Sequence, residues 1–211
     1  SEFNMLELDL SFDEVPKEEL KELLHSYQVK KKYYRLKNGS FINLEDKTIN
    51  EVSHILGSLN IKDKNLKEDV LLLEKQHALY LDKAFSNQEF VFERDRDFTA
   101  LTEKILNPAK TEHVLPQGIL ADLRPYQLTG YKWLKTLAEN ELGGILADDM
   151  GLGKTLQSIV YIASCMKEEE GAHHLIVCPT SLIYNWQDEI ENFAPFMKAS
   201  VITGNPSERQ G

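Results

Sequence analysis

Apolar and polar side chains alternate from residue 5 to residue 12, with Leu6, Leu8, Leu10 and Phe12 set against Glu7 and Asp9, the two-residue period of a half-buried strand. After Pro16 the period lengthens, and Leu20, Leu23, Leu24 and Tyr27 fall on one stripe of a helix. Residues 32–36 and 40–44 are strand-like on either side of Lys37-Asn38-Gly39. Asn-Gly between two such runs predicts a hairpin, because these residues tolerate the positive φ of its turn. Ile49, Val52, Ile55, Leu56 and Leu59 predict another helix, residues 70–73 a strand, and Phe98, Leu101 and Ile105 one more helix. From 107 to 118, Pro108, Pro116 and Gly118 interrupt the periodicity, and a domain boundary is placed there.

Beyond the boundary, Leu123, Tyr126, Gly130, Leu134 and Leu137 share one helical stripe, and Pro125 suits a first helical turn. Residues 142–147, Leu-Gly-Gly-Ile-Leu-Ala, read as a short buried strand. Residues 154–166 read as a helix with Ile159, Ile162, Ala163 and Met166 on one side. Residues 175–178 predict a second buried strand, followed by a turn and a helix whose apolar side is Ile183, Trp186, Ile190 and Phe193. Val201 and Ile202 start a third strand that runs into a loop at Thr203 and Gly204.

Composition narrows the class. At 211 residues and 42% hydrophobic content the chain can bury one large core or two small ones. No apolar run reaches membrane-spanning length, and Ser1-Glu2-Phe3-Asn4-Met5 is no signal peptide. A cytoplasmic protein with no membrane partner is expected; Ser1 to Phe3 read as a cloning remnant and Met5 as an internal position. Cys165 and Cys178, in a predicted helix and a predicted strand, are too few for a disulfide framework or a zinc site and read as core residues. His173-His174 lacks partnering ligands and reads as a solvated turn. The net charge of −10 is spread evenly: residues 1–115 hold 17 Lys+Arg against 22 Asp+Glu, and the remainder 7 against 12. Strong nucleic-acid binders are generally basic, so weak DNA binding is the expectation here. Lys30-Lys31-Lys32-Tyr33-Tyr34 nevertheless mixes charge and aromatic rings as nucleic-acid patches do; a charged turn entering a strand with buried tyrosines is the simpler alternative.

The densest chemistry lies between the predicted strand 142–147 and the helix from 154. Asp148-Asp149-Met150-Gly151-Leu152-Gly153-Lys154-Thr155 ends in Gly-Leu-Gly-Lys-Thr, a phosphate-binding loop in strand-loop-helix context. Its glycines turn backbone N–H groups toward a polyphosphate, and the helix N-terminus adds partial positive charge. Lys154 reaches the outer phosphates and Thr155 offers a hydroxyl to magnesium. Upstream, Gln127 carries an amide able to pair with the N6 and N7 edge of adenine, and Arg124 or Tyr126 could stack on the base. On its own that segment is more simply an ordinary amphipathic helix with one polar residue. Downstream, Thr180 or Ser181 could cap the next helix or hold a nucleic-acid phosphate.

Taken in order, Arg124-Pro125-Tyr126-Gln127, the loop from Asp148 to Thr155, and Cys178-Pro179-Thr180-Ser181 running on to Asn185-Trp186 resemble the SWI/SNF-type helicase-like ATPases of helicase superfamily two. The resemblance covers about residues 119–204. It implies an α/β fold in which residues 119–211 begin the first RecA-like P-loop lobe, a parallel sheet with helices on both faces. Tyr33 to Leu44 looks like the end of the accessory domain that precedes the ATPase in bacterial members. That makes residues 1–107 a small α+β accessory region and residues 108–118 a linker. The same resemblance assigns adenine recognition to Gln127, with Arg124 and Tyr126 beside it. It sets Asp148, Met150, Gly151, Leu152, Gly153, Lys154, Thr155 and Leu156 around ATP. Lys154 and Thr155 are its catalytic pair, Thr155 meets Mg2+ through the nucleotide, and Thr180 and Ser181 lie near the DNA backbone.

The implied activity is ATP-driven translocation on double-stranded DNA that remodels protein–DNA complexes, with the client open between RNA polymerase, a nucleoid protein and a repair factor. Hydrolysis also needs an acidic pair on magnesium and an arginine on the transition state. The acidic run Asp188-Glu189-Ile190-Glu191 falls inside a predicted helix and reads as a solvated face. The chain is therefore expected to be the ATP-binding front portion of a longer protein, cut before its acidic pair and inactive in hydrolysis alone. The alternative is a nucleotide-switched binding module without productive turnover.

Overall fold

The computed structural model describes residues 5–12, 15–59, 66–67, 70–86, 92–168 and 171–204. Ser1 to Phe3, read above as a cloning remnant, lie outside the described residues. By its packing the chain divides into two units, Ser1–Glu103 and Lys104–Gly211.

In the first unit the alternating segment is β1 (Met5–Asp9), followed by α1 (Leu20–Gln28). The Asn-Gly signal is the tip of a hairpin of β2 (Tyr33–Arg35) and β3 (Phe41–Asn43), in register Tyr33↔Asn43, Tyr34↔Ile42 and Arg35↔Phe41. Gly39 takes a φ of +96° there, and the Asn38 side chain accepts from the Ser40 N–H at 2.9 Å. α2 (Lys47–Ser58) starts where the Asp46 carboxylate accepts the otherwise unpaired N–H groups of Thr48 and Ile49. β4 (Leu66–Lys67) and β5 (Val70–Glu74) complete an antiparallel sheet of order β1-β5-β4, with Met5 opposite Glu74 and Asp9 opposite Val70. α3 (Ala78–Ser86) and α4 (Arg96–Leu106) follow, the division between units falling inside α4. Leu10, Leu20, Val52, Ile55, Leu71, Leu73, Leu81 and Phe85 pack one core, and Leu23, Leu36, Ile42, Leu44 and Ile49 a second beneath the hairpin. The buried Glu19 carboxylate accepts from the Lys37 N–H at 3.0 Å and the Tyr34 hydroxyl at 3.2 Å. Burial, then hydrogen bonding to Glu22 and Glu19, pushes the Tyr34 hydroxyl above its ordinary pKa.

The second unit is built on α5 (Pro125–Glu139), α6 (Lys154–Glu168) and α7 (Ile183–Phe193). α6 is the central element: Ile159, Val160 and Ala163 are inaccessible to solvent. Tyr131, Leu156 and Val160 form one cluster, and Ile159, Ala163, Ile190, Ala194 and Met197 another. Lys132 Nζ donates to the Thr111 carbonyl at 2.6 Å and Tyr131 Oη to the Val114 carbonyl at 2.8 Å, tying the Pro-rich segment along α5. Among the described residues no helix is long and apolar enough to cross a membrane.

The chain is a mixture of helices and strands, but both described sheets are small, antiparallel and confined to the first unit. The segments expected as strands at 142–147, 175–178 and 201–202 carry no ladder, so the expected parallel sheet is not seen among the described residues. Extended backbone becomes a strand only where a neighbour takes up its hydrogen bonds, and none of these segments does so for another. Nor are they buried as expected: in the second segment Ile176 packs on the α6–α7 core, but Leu175 and Val177 stand 81% and 86% exposed.

A second departure concerns α5. Its most buried positions are Gln127, Tyr131, Lys135, Thr136 and Leu137, a face rotated from the expected stripe through Leu123, Tyr126, Gly130 and Leu134. Polar residues occupy it because distant partners satisfy them. Gln127 bonds the Leu152 carbonyl, and Lys135 Nζ meets Glu168 Oε2 at 2.5 Å.

Candidate functional site

The segment from Asp148 to Gly153 joins residues 142–147 to α6, and four side chains hold it. At its start, Gln157 Nε2 donates to Asp148 Oδ2 at 3.1 Å. At its end, the Leu152 carbonyl accepts from Gln127 Nε2 at 3.0 Å and from Tyr126 Oη at 3.2 Å. Lys154, the first residue of α6, curls back over the loop and donates through Nζ to the carbonyls of Asp148 at 2.7 Å and Asp149 at 2.9 Å.

Gly151 and Gly153 take φ of +83° and +77°, the left-handed region that a side chain resists. Gly153 has a second constraint, since a Cβ there would stand 2.4 Å from Gln127 Nε2. The amide of Gln127 thus fixes the loop and its own helix together: Oε1 accepts from the Arg124 N–H at 2.9 Å, closing the first turn of α5. Each amide atom keeps unused capacity, one further N–H and one further lone pair.

Of the residues read from the sequence, Tyr126, Gln127, Asp148, Leu152, Gly153 and Lys154 are brought together directly by these bonds. Arg124 is exposed at the N-terminus of α5, and Met150 is 96% exposed at the loop tip. Thr155 lies in the first turn of α6, half-buried. Leu156 turns its side chain into the cluster with Tyr131 and Val160, which leaves its backbone N–H as the group it can offer a ligand. Thr180 and Ser181 are exposed in a single 3-10 turn that leads into α7.

Gln157 is the residue that motif reading missed. It is wholly buried on α6, and its Oε1 has no hydrogen-bond partner among the described residues. Gly130 on α5 is what admits it, because a Cβ there would lie 1.9 Å from that oxygen. A glutamine on the apolar side of α6, among Leu156, Val160 and Ala163, was the available signal. Burial, reinforced by a hydrogen bond to Cys165, pushes the Tyr161 hydroxyl up to about 12, and burial likewise raises that of Tyr131.

A loop with two left-handed glycines, opening a 15-residue helix with Lys-Thr as its first residues, presents amides, a cation and a hydroxyl at one place. That donor set suits the phosphates of a nucleotide, and Thr155 is the residue able to reach a metal carried by them.

Comparison with known proteins agrees with the motifs. The family model described as bacterial SNF2 helicase associated matches residues 1–116, more than half of the chain. The chain belongs to this bacterial SNF2 helicase-associated family. The model of the SNF2-related domain matches residues 126–211, so the segment from Asp148 to Thr155 lies in the SNF2-related part of a SNF2-type, helicase-like chain. Among curated relatives, the TATA-binding protein-associated factor mot1 of Schizosaccharomyces pombe is 48% identical over 130 residues, 56% of this chain and 6% of its own length. Helicase SWR1 of Kluyveromyces lactis is 42% identical over 117 residues, 52% of this chain and 7% of that one. An uncharacterized ATP-dependent helicase of Mycoplasma genitalium is 38% identical over 140 residues, 66% and 14% respectively. This SNF2-type chain thus spans only a small part of the length of these relatives. The solved Sulfolobus solfataricus SWI2/SNF2 ATPase core in complex with dsDNA shares 40% identity, covering 46% of this chain and 21% of that chain, with a TM-score of 0.43.

Proposed function

We propose that the second unit binds ATP with Mg2+ and forms the ATP-binding front portion of a double-stranded-DNA translocase that remodels protein–DNA complexes. The observation that carries this reading is the pinned loop: Gly151 and Gly153 in left-handed conformation, Lys154 and Thr155 opening α6, and Gln127 bonded to Leu152. In this reading Lys154 exchanges its two carbonyl bonds for the outer phosphates. Thr155 meets the magnesium, the spare capacity of Gln127 meets the adenine edge with Arg124 and Tyr126 beside it, and Gly151 to Leu156 supply amides.

Thr180 and Ser181, exposed before α7, are the proposed contacts to the DNA backbone. Residues 119–211 are assigned to the first RecA-like lobe, residues 1–107 to the accessory region and 108–118 to the linker between them. Hydrolysis draws on an acidic pair and an arginine that this reading does not place among these residues, so the chain alone binds nucleotide without turning it over. The protein works in the cytoplasm, and its client is a protein bound to DNA, as the name of mot1 indicates for that relative.

The test is ATP hydrolysis by the protein in its complete length, with and without duplex DNA, beside Lys154→Ala. DNA-stimulated turnover lost in the variant is the expected result. Nucleotide binding with no turnover under either condition would replace the motor by a nucleotide-switched binding module. Turnover by the present chain, abolished by Lys154→Ala, would overturn its assignment as inert.

A further inference from the structure

We infer that the first unit carries a binding site for single-stranded nucleic acid, with backbone phosphates in a lysine-lined cavity beside α1 and unpaired bases on the open face of the β2–β3 hairpin. The site lies wholly within residues 27–58 and does not depend on the nucleotide reading of the second unit.

The cavity begins where α1 stops. The Lys30 N–H donates to the Tyr27 carbonyl at 2.8 Å and the Lys31 N–H to the Ser26 carbonyl at 3.1 Å, the paired bonds of a Schellman turn. The left-handed position of that turn generally belongs to glycine, yet Lys30 occupies it with φ of 58°. A side chain there costs about 1–2 kcal/mol. The turn throws Lys30, Lys31 and Lys32 onto the rim of a cavity of about 580 Å³, which Asn50, Ser53 and His54 of α2 close from the other side.

The lining is rich in donors. Among the described residues no carboxylate pairs with Lys30 or Lys31; Glu45, the one acid in the lining, stands 3.7 Å from Lys32 with both groups largely exposed, a weak competitor. Asn50 Oδ1 is taken by the Tyr27 hydroxyl, so the amide N–H groups are its free end. Ser53 is 5% exposed and its hydroxyl has no partner among the described residues. An unpartnered buried hydroxyl is unfavourable, and a phosphate oxygen reaching into the cavity would satisfy it. These groups form a basic concavity on a chain whose net charge is −10.

What selects a nucleic-acid strand over a free phosphate is the surface that the same segment enters. Lys32 leads directly into β2, where Tyr33 and Arg35 share the outward face with Phe41 and Asn43. Tyr33 is 58% and Phe41 65% exposed, with the Arg35 guanidinium 5.8 Å from the Phe41 ring. Open aromatic faces beside a row of lysines are what unpaired bases and their phosphates use together, and paired bases cannot stack there.

The experiment is fluorescence anisotropy of a labelled oligothymidylate and of a labelled duplex with the whole chain, without nucleotide, across a salt series. Lys30→Glu with Lys31→Glu is expected to weaken oligothymidylate binding about tenfold or more and to lower the salt slope by about 0.7 for each phosphate no longer neutralised. Tyr33→Ala with Phe41→Ala should weaken it about tenfold while leaving the salt slope in place. Lys21→Glu with Lys104→Glu, the same charge change at exposed positions elsewhere, should have little effect. Ser53→Ala should weaken binding while keeping or raising the thermal midpoint, which separates removal of a ligand bond from unfolding. In the unaltered chain, oligothymidylate should protect Lys30 and Lys31 from acetylation. Equal loss in the Lys21 and Lys104 control, preference for duplex with no effect of the aromatic substitutions, or protection by inorganic phosphate alone would each overturn the assignment.

Discussion

Gly130→Ala should change sign with its background. Gly130 lies inside α5, where alanine is better than glycine by about 1 kcal/mol on helix propensity. The added Cβ, however, would stand 1.9 Å from Gln157 Oε1 and 3.1 Å from Gln157 Cδ. Gln157 is wholly buried, so its amide cannot withdraw into solvent. Moving it breaks the bond to Asp148 Oδ2, an interaction with a charged acceptor worth about 1.5–3 kcal/mol, and overpacks the contact at a further cost of about 1–3 kcal/mol. Against the propensity gain, the net loss comes to about 1.5–5 kcal/mol. In a Gln157→Ala background the obstacle is gone and the new methyl enters vacated space, so the same substitution should add about 1 kcal/mol. The coupling is then about 2.5–6 kcal/mol, at or above the top of the range for residues in contact. Urea unfolding followed by tryptophan fluorescence measures it on the second unit alone, because Trp133 and Trp186 are the only tryptophans of the chain. A Gly130→Ala variant as stable as the parent, or a double variant equal to the sum of the singles, would refute the reasoning.

Gly153→Ala should lower affinity for a fluorescent ATP analogue about tenfold or more, because its φ of +77° and a Cβ 2.4 Å from Gln127 Nε2 force the loop to open; titration with the analogue reads this directly. Glu19→Ala should destabilise the first unit by about 1–3 kcal/mol, since the Lys37 N–H and the Tyr34 hydroxyl lose their buried acceptor. Faster hydrogen exchange at the Lys37 amide is the local check, and unchanged exchange would dismiss that carboxylate as a structural anchor.

Features set by neighbours in sequence were legible. Asn38-Gly39 turns the hairpin and Gly-Leu-Gly-Lys-Thr opens α6 through interactions within a few residues, while the helical period alone marks the Ile159–Ala163 side of α6 as the buried one. What escaped the sequence depends on partners far along the chain. Gln127 and Lys135 look like the solvated positions of α5 until Leu152, 25 residues on, and Glu168, 33 residues on, are brought beside them. The strands expected at 142–147 and 175–178 show the same limit from the other side. The apolar run at 175–178 reads as wholly buried, yet only Ile176 packs inward while Leu175 and Val177 are exposed, because pairing and cover are properties of neighbours that the run does not contain. Gln157 was passed over because the motif reading ends at the residues expected to meet phosphate, and its partners, Gly130 and Asp148, lie on two other segments.

The arrangement of charge around the loop gives Gln157 a role beyond packing. Lys154 has two acidic side chains close in sequence, Asp148 and Asp149, yet it bonds their carbonyls and pairs with neither carboxylate among the described residues. For Asp148 the reason is visible: its Oδ2 is held by the amide of Gln157, a neutral group fixed on α6. An ammonium bonded to carbonyls exchanges them readily for phosphate, because bonds to a charged acceptor are roughly twice as strong as neutral ones. An ammonium locked to a carboxylate would gain far less from the exchange, and the displaced carboxylate would then face the incoming phosphates. On a chain of net charge −10, a polyphosphate is already repelled at long range, so for the proposed nucleotide a preserved local cation must help to supply the attraction. Gln157 therefore acts on the proposed nucleotide through Asp148: by keeping one acid occupied it keeps Lys154 available, a task that a leucine of similar size at the same buried position could not perform.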